Sequence, residues 1–136
     1  MANYCENNLS ISGDGKELKE FNKKTQTKKL VFTLEKLVPT PKEYLKKGDE
    51  RWYDWRKKEW GTKWDVYPDS VSKDFDDDRI DISFDTAWSP PLEWLKKASK
   101  IFKNLFFRIH YKEEGMGYEG VAKVNNGKLE DKYIEY

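Results

Sequence analysis

Three stretches of this chain alternate apolar and polar side chains with a period of two. Cys5, Asn7, Leu9 and Ile11 alternate with Glu6, Asn8 and Ser10; Ile80, Ile82 and Phe84 with Asp81, Ser83 and Asp85; Leu105, Phe107, Ile109 and Tyr111 with Phe106, Arg108, His110 and Lys112. Successive side chains of a strand point to opposite faces, so each stretch is expected to be a strand with one face for a core and one for solvent. Strands of this kind need cover on one side. Two segments have the pattern to supply it. Asp14 can cap a helix through about Thr25 that offers Leu18 and Phe21 inward and Lys16, Lys19, Lys23 and Lys24 outward. Ser89-Pro90-Pro91 is a helix start, with Ser as cap and proline in the first turn where its missing donor costs nothing. That helix runs to about Lys103, with Leu92, Trp94, Leu95, Ala98, Ile101 and Phe102 on one side and Lys96, Lys97, Lys100 and Lys103 on the other.

The remaining segments complete the plan. Residues 30–38 hold β-branched and aromatic side chains and stop at Pro39-Thr40-Pro41, which predicts a second strand, irregular at its end. Residues 64–71 are expected to be a strand despite Pro68, followed by an acidic loop at Asp74, Asp76, Asp77 and Asp78. Asn125-Asn126-Gly127 is a hairpin turn signal, because Asn and Gly accept positive φ, and it joins strands over 118–124 and 128–136. The expected architecture is α+β and ferredoxin-like: one domain over residues 1–136, with helices on one face of a mostly antiparallel sheet.

Composition limits the function classes. Of 136 residues, 38% are charged and 37% hydrophobic, so the core must rely on bulky members, above all the aromatics. A net charge of +1 removes any global case for nucleic-acid or membrane affinity. One cysteine, Cys5, allows no intramolecular disulfide and no thiolate cluster, as expected in a reducing compartment. The first eight residues are polar and no apolar run approaches the ~20 needed to cross a bilayer, so neither export nor a membrane partner is expected.

Trp52, Tyr53, Trp55, Trp60 and Trp64 crowd into one short stretch between Asp49 and Asp65. Gly48-Asp49 is expected to open a helix there and Gly61 to close it, an insertion in the ferredoxin-like plan. Wound at ~100° per residue, Trp52, Tyr53, Trp55 and Trp60 share one arc, with Arg56 and Glu59 among them. Trp and Tyr join large apolar area to a polar tip and, with Arg, dominate binding surfaces. Arg56, Trp60, Lys63 and Trp64 are therefore candidate walls of a cationic cup for a flat anionic ligand such as a nucleotide, with Trp88 as a further wall. The plainer alternative is that these indoles fill the open side of the sheet. Pro90 and Pro91 delete two donors at the following helix start, which weakens anion binding there.

Arg108 and His110 share one strand face, and Asp81, Ser83 and Asp85 share another. If those strands adjoin, a histidine meets carboxylates, as general acid–base chemistry requires; otherwise His110 is a solvated or hydrogen-bonded residue. Metal binding needs three or four converging ligands, which one Cys, one His and loop aspartates without calcium-loop spacing do not supply. No Gly-rich phosphate loop or nucleophile elbow occurs, and no cofactor is implied. The helix lysines form a basic strip that could meet nucleic acid or lie as a solvated face. The glycine-and-aromatic signature of RNA-recognition folds is missing from residues 103–111.

Asn3-Tyr4-Cys5-Glu6-Asn7-Asn8-Leu9 with Gly13, Trp60-Gly61-Thr62-Lys63-Trp64-Asp65, and Phe84-Asp85-Thr86-Ala87-Trp88-Ser89-Pro90-Pro91 resemble, in this order, one family: the YubB-like, Api-type ferredoxin-like domains. The resemblance spans almost the whole chain. It implies a ferredoxin-like fold and an origin in a bacteriophage, plasmid or prophage, in a family without an established biochemical activity. Two departures stand out: Tyr4 where Trp is more usual, and Glu59 where Asn is expected before Trp60. The second removes any role that depends on an amide there. Taken together, the expectation is a non-enzymatic binding protein of a mobile element that acts in the host bacterial cytoplasm. It would sequester a nucleotide-like small molecule through Arg56, Trp60, Lys63, Trp64, Trp88, Arg108 and His110, plausible as an anti-defence device. The alternatives are an inhibitor that contacts a host defence protein, and a weak nucleic-acid binder. The final hairpin offers an edge for homo-oligomer formation.

Overall fold

In the computed structural model, which describes residues 3–135, the alternating segments are the strands of one six-stranded sheet. The elements are β1 (Tyr4–Gly13), α1 (Gly15–Lys24), α2 (Arg51–Glu59), β2 (Ser72–Phe75), β3 (Arg79–Ala87), α3 (Leu92–Ile101), β4 (Leu105–Glu113), β5 (Tyr118–Asn125) and β6 (Lys128–Glu135). The strand order is β2-β3-β1-β4-β5-β6, and every neighbouring pair is antiparallel. The first four strands in that order, with α1 and α3 as crossovers, make the ferredoxin-like arrangement; the terminal hairpin widens the sheet by two strands.

Register explains why one face is core. Leu9 lies opposite both Ile82 and Ile109, and Ile11 opposite Ile80 and Phe107, so the apolar phases of β1, β3 and β4 fall on the same side. Leu18 and Phe21 of α1 and Trp94, Leu95 and Ala98 of α3 close over that side. Phe21 is the hub, with edge-on rings of Trp94, Phe102 and Phe107 at 6.1, 5.5 and 5.6 Å. Asp14 caps α1 by accepting from the Glu17 amide at 3.0 Å. Gly13 has φ +132°, and a Cβ there would stand 2.2 Å from the Asn104 carbonyl oxygen, so the turn into α1 can pass the start of β4 only without a side chain.

Three expected features are corrected. Residues 30–38 contain no strand, and the short β2 begins only at Ser72. Several backbone groups of residues 31–38 bond to side chains instead: Trp94 Nε1 donates to the Leu34 carbonyl at 3.0 Å, Trp60 Nε1 to that of Val38 at 2.9 Å, and Lys73 Nζ to that of Val31 at 2.6 Å. Phe32 and Leu34 are buried as a plug. Residues 64–71 form no strand either; they end in a 3-10 turn at Pro68–Ser70, and Asp74 of the expected acidic loop lies in β2. Finally, Ser89 does not cap α3. That helix starts at Leu92 without a side-chain cap, and the Ser89 hydroxyl donates to the Gly61 carbonyl.

Candidate ligand-binding site

α2 ends as its sequence foretells, although Glu50 rather than Asp49 holds the N-cap position. Trp60 closes the helix, and Gly61, at φ +89°, donates its amide to the Arg56 carbonyl at 3.1 Å. Arg56 and Trp60 meet, but inside the molecule. The Trp60 ring is 0% exposed and edge-on to Trp55 at 6.0 Å. The Arg56 guanidinium lies 4.9 Å from the Trp60 ring and 5.2 Å from the Trp52 ring, and its Nε donates to Thr40 Oγ1 at 3.1 Å. With Glu35 at 3.9 Å and only 17% of the Arg56 side chain exposed, the pair is an internal clamp on residues 35–40.

The next residues dock against the end of β3. Thr62 Oγ1 donates to the Ala87 carbonyl at 3.0 Å, and the Trp94 amide donates to the Trp60 carbonyl at 3.1 Å. Asp65 accepts from the Leu34, Glu35 and Val66 amides at 2.8, 3.0 and 2.7 Å and from the Thr33 hydroxyl. Buried amides need such partners. This docking leaves three motif members at the surface together. The Lys63 ammonium lies 4.4 Å from the Trp64 ring and 5.3 Å from the Trp88 ring, and the two indoles are 39% and 45% exposed.

Trp88 holds φ +70°, a left-handed backbone that costs a side-chain-bearing residue roughly 1–2 kcal/mol. Its amide donates to the Asn3 carbonyl at 3.0 Å, and its carbonyl accepts from the Tyr118 hydroxyl. The aromatic surface continues from Trp64 to Tyr67 at 6.4 Å and from Tyr67 to Tyr4 at 4.9 Å, both edge-on. The Tyr67 hydroxyl is buried without a hydrogen-bond partner among the described residues, and burial pushes that phenol above its usual range.

Arg108 and His110 lie elsewhere. β1 separates β3 from β4, so Asp81, Ser83 and Asp85 do not adjoin them, which corrects the expected juxtaposition. Asp81 accepts from Ser10 Oγ at 2.8 Å and pairs with Arg79 at 2.7 Å. His110 faces Glu119 of β5 instead, at 3.4 Å. Arg108 shares its row with Ser10 and Asp81; Trp88 lies seven residues further along the β3 chain, about 23 Å away. The helix lysines do not form an unbroken basic strip, since Lys97 pairs with Glu59 at 2.6 Å and Lys96 with Glu93 at 3.4 Å. Sequence reasoning passed over Phe106, Arg79, Lys123 and Lys128, which line a cavity of about 610 Å³ with Arg108 on the uncovered sheet face. The readable signal was Phe106, an aromatic residue in the polar phase of β4.

The sheet order, the one-sided helical layer and the interlocked Trp60–Asp65 and Trp88–Pro91 turns define a ferredoxin-like α+β domain. The family model for the ferredoxin-like domain in Api92-like protein matches residues 59–136, and the chain belongs to that family. It is also similar to the crystal structure of the protein Api92 from Yersinia pseudotuberculosis, at 24% identity and a TM-score of 0.52. That similarity covers 68% of this chain and 32% of the Api92 chain, and at this identity it speaks for the fold alone. No curated protein matches the chain. No helix among the described residues is long and apolar enough to cross a membrane.

Proposed function

We propose that this chain is a non-enzymatic binding protein of a phage or other mobile element, which acts in the host bacterial cytoplasm and sequesters a planar, anionic, nucleotide-like small molecule as an anti-defence device. The ligand's ring stacks on Trp64 and Trp88, and its phosphate takes the Lys63 ammonium. One observation carries this reading: two exposed indoles share a single ammonium, and one of them is presented from a left-handed backbone. Residues kept in such conformations cluster at ligand sites, where the surrounding structure over-determines them. An arginine or lysine over an indole gains ~0.5–2 kcal/mol, and an aromatic ring stacked on an indole adds to this. Arg56 and Trp60 serve the site from behind by fixing the end of α2, and Arg108 and His110 lie outside it.

The test is calorimetric titration with linear and cyclic nucleotides, read in parallel by tryptophan fluorescence. Saturable binding that weakens about tenfold in Trp88→Ala is expected from the loss of one stacking wall. A flat response across the whole nucleotide set sinks the reading.

A further inference from the structure

The uncovered sheet face carries a second, separate surface. Helices cover the side of Leu9 and Ile109; the opposite side is solvent-facing from β3 to β6. At one end of that face Arg79, Ser12 and Phe106 share a row, with Asn125 paired to Lys128 at the same end of β5 and β6, and the next row runs Asp81, Ser10, Arg108, Lys123, Glu130. Phe106 is 57% exposed in the middle of these cations. Arg79 is tied to Asp81, but among the described residues Arg108, Lys123 and Lys128 make no ion pair. Glu130 is the carboxylate in the cavity wall. At the far end of the strands the sign reverses, with Glu6, Asp85 and Glu119 in one row beside Lys112.

We infer that this face binds single-stranded nucleic acid, with a base stacked on Phe106 and the phosphates on Arg108, Lys123 and Lys128. An aromatic ring exposed amid cations on an open sheet is the arrangement by which single strands are held without reading sequence, because every base has a π-face. A duplex hides its base faces and cannot use Phe106. An acidic peptide would satisfy the cations and leave the ring idle. From Arg79 to Lys128 this end of the face crosses four strand spacings, about 19 Å, several times the ~3.4 Å step of stacked nucleotides, so a chain of nucleotides and not one nucleotide fills it. The carboxylate row at the opposite end confines phosphate to the Phe106 end. Neither Trp64 nor Trp88 takes part, and the inference stands apart from the small-molecule site.

Fluorescence anisotropy with labelled oligo-dT and oligo-rU of about 12 nucleotides tests it, beside a duplex of equal length and unlabelled poly-glutamate as competitor. Both single strands are expected to bind, with affinity falling as salt rises from about 50 to 200 mM. Phe106→Ala is expected to weaken binding about tenfold or more, with an unchanged melting temperature because the ring is exposed. Arg108→Gln with Lys123→Gln lowers the salt slope by about 1.4, whereas Trp88→Ala changes nothing. The inference is overturned by no binding at low salt, by a duplex bound as tightly as the single strands, by displacement with poly-glutamate at equal charge, or by parental affinity in both the Phe106 and the Arg108/Lys123 variants. The relative tightness for oligo-dT and oligo-rU tells whether DNA or RNA is the natural strand.

Discussion

Replacing Trp60 by alanine separates the structural from the exposed tryptophans. The ring is fully buried, packs edge-on against Trp55, carries the Arg56 guanidinium on its face and donates its N–H to the Val38 carbonyl. Truncating a buried tryptophan costs about 3–5 kcal/mol, and here it also leaves the Val38 carbonyl without the indole donor and takes one of two indole rings from the Arg56 guanidinium, which keeps Trp52, Thr40 and Glu35. A chain of 136 residues melts with an entropy near 0.29 kcal/mol/K at ~2.1 cal/mol/K per residue, so each kcal/mol moves the midpoint about 3.5 °C. Trp60→Ala is therefore expected to melt about 10–17 °C lower. Trp60→Phe keeps most of the ring but leaves Val38 unpaired, at about 1–3 kcal/mol. Trp64→Ala and Trp88→Ala, at exposed sites, are expected to stay within about 1 kcal/mol of the parent. Differential scanning calorimetry of the four variants decides the matter. If Trp60→Ala melts with the parent, or Trp88→Ala falls as far as Trp60→Ala, then the division of the motif into buried peg and exposed walls is wrong.

Asp65→Ala removes the acceptor of three amides and a hydroxyl, and is expected to cost about 2–4 kcal/mol; hydrogen exchange should speed most at Leu34 and Glu35. Burial, and after it the field of Glu113, pushes the Cys5 thiol from the ordinary 9.0 up to about 12. The unfolded chain thus releases this proton first, and the stability held below pH 9 is lost as pH climbs toward 12, by up to about 1.4 kcal/mol per pH unit. Burial raises the Tyr111 and Tyr118 phenols in the same direction. Urea unfolding at stepped alkaline pH should show a shallower loss in Cys5→Ala, and an equal slope would refute the assignment to this thiol.

The parts of the fold that could be read from sequence are those in which one residue pattern has one structural meaning. The alternation in β1, β3 and β4, the cap at Asp14 and the Asn125-Asn126-Gly127 turn are local signals, and the sheet follows from them. Residues 30–38 show where this fails. Phe32 and Leu34 point inward two apart, as in a strand, yet the amides of Leu34 and Glu35 are taken by Asp65, and no sequence pattern announces a partner thirty residues away. Ser89 is a similar case: a good cap by type, it is claimed by Gly61 from another segment. For the site, the aromatic density around α2 was visible but not its division. An arc of indoles has the same sequence whether it faces a ligand or the core, and burial of Trp60 depends on Val38 lying within reach of its N–H. The strand order could not be read either, and on it depends whether His110 meets Asp81 and Asp85 or, as found, Glu119.

The two interlocked turns give the exposed rings a property that a mobile loop would lack. Thr62, Ser89 and the Trp60 carbonyl fasten residues 60–62 to the end of β3 and the start of α3, and Asn3 and Tyr118 fasten Trp88 from the other side. Trp64 and Trp88 thus stand on or beside a backbone tied by hydrogen bonds to neighbouring segments, so a ligand that stacked on them would not have to order the chain. Ordering costs about 0.5–1.5 kcal/mol per immobilised side chain, and sites on rigid supports avoid much of it. The same rigidity couples the motif's two halves. At the proposed site, substitution at Thr62, Asp65 or Ser89 is expected to shift the rings and weaken binding without touching a ligand, whereas Trp64 and Trp88 can be changed with little loss of stability. Loss of affinity at unchanged melting temperature is therefore the signature that distinguishes a contact residue from a supporting one in this turn.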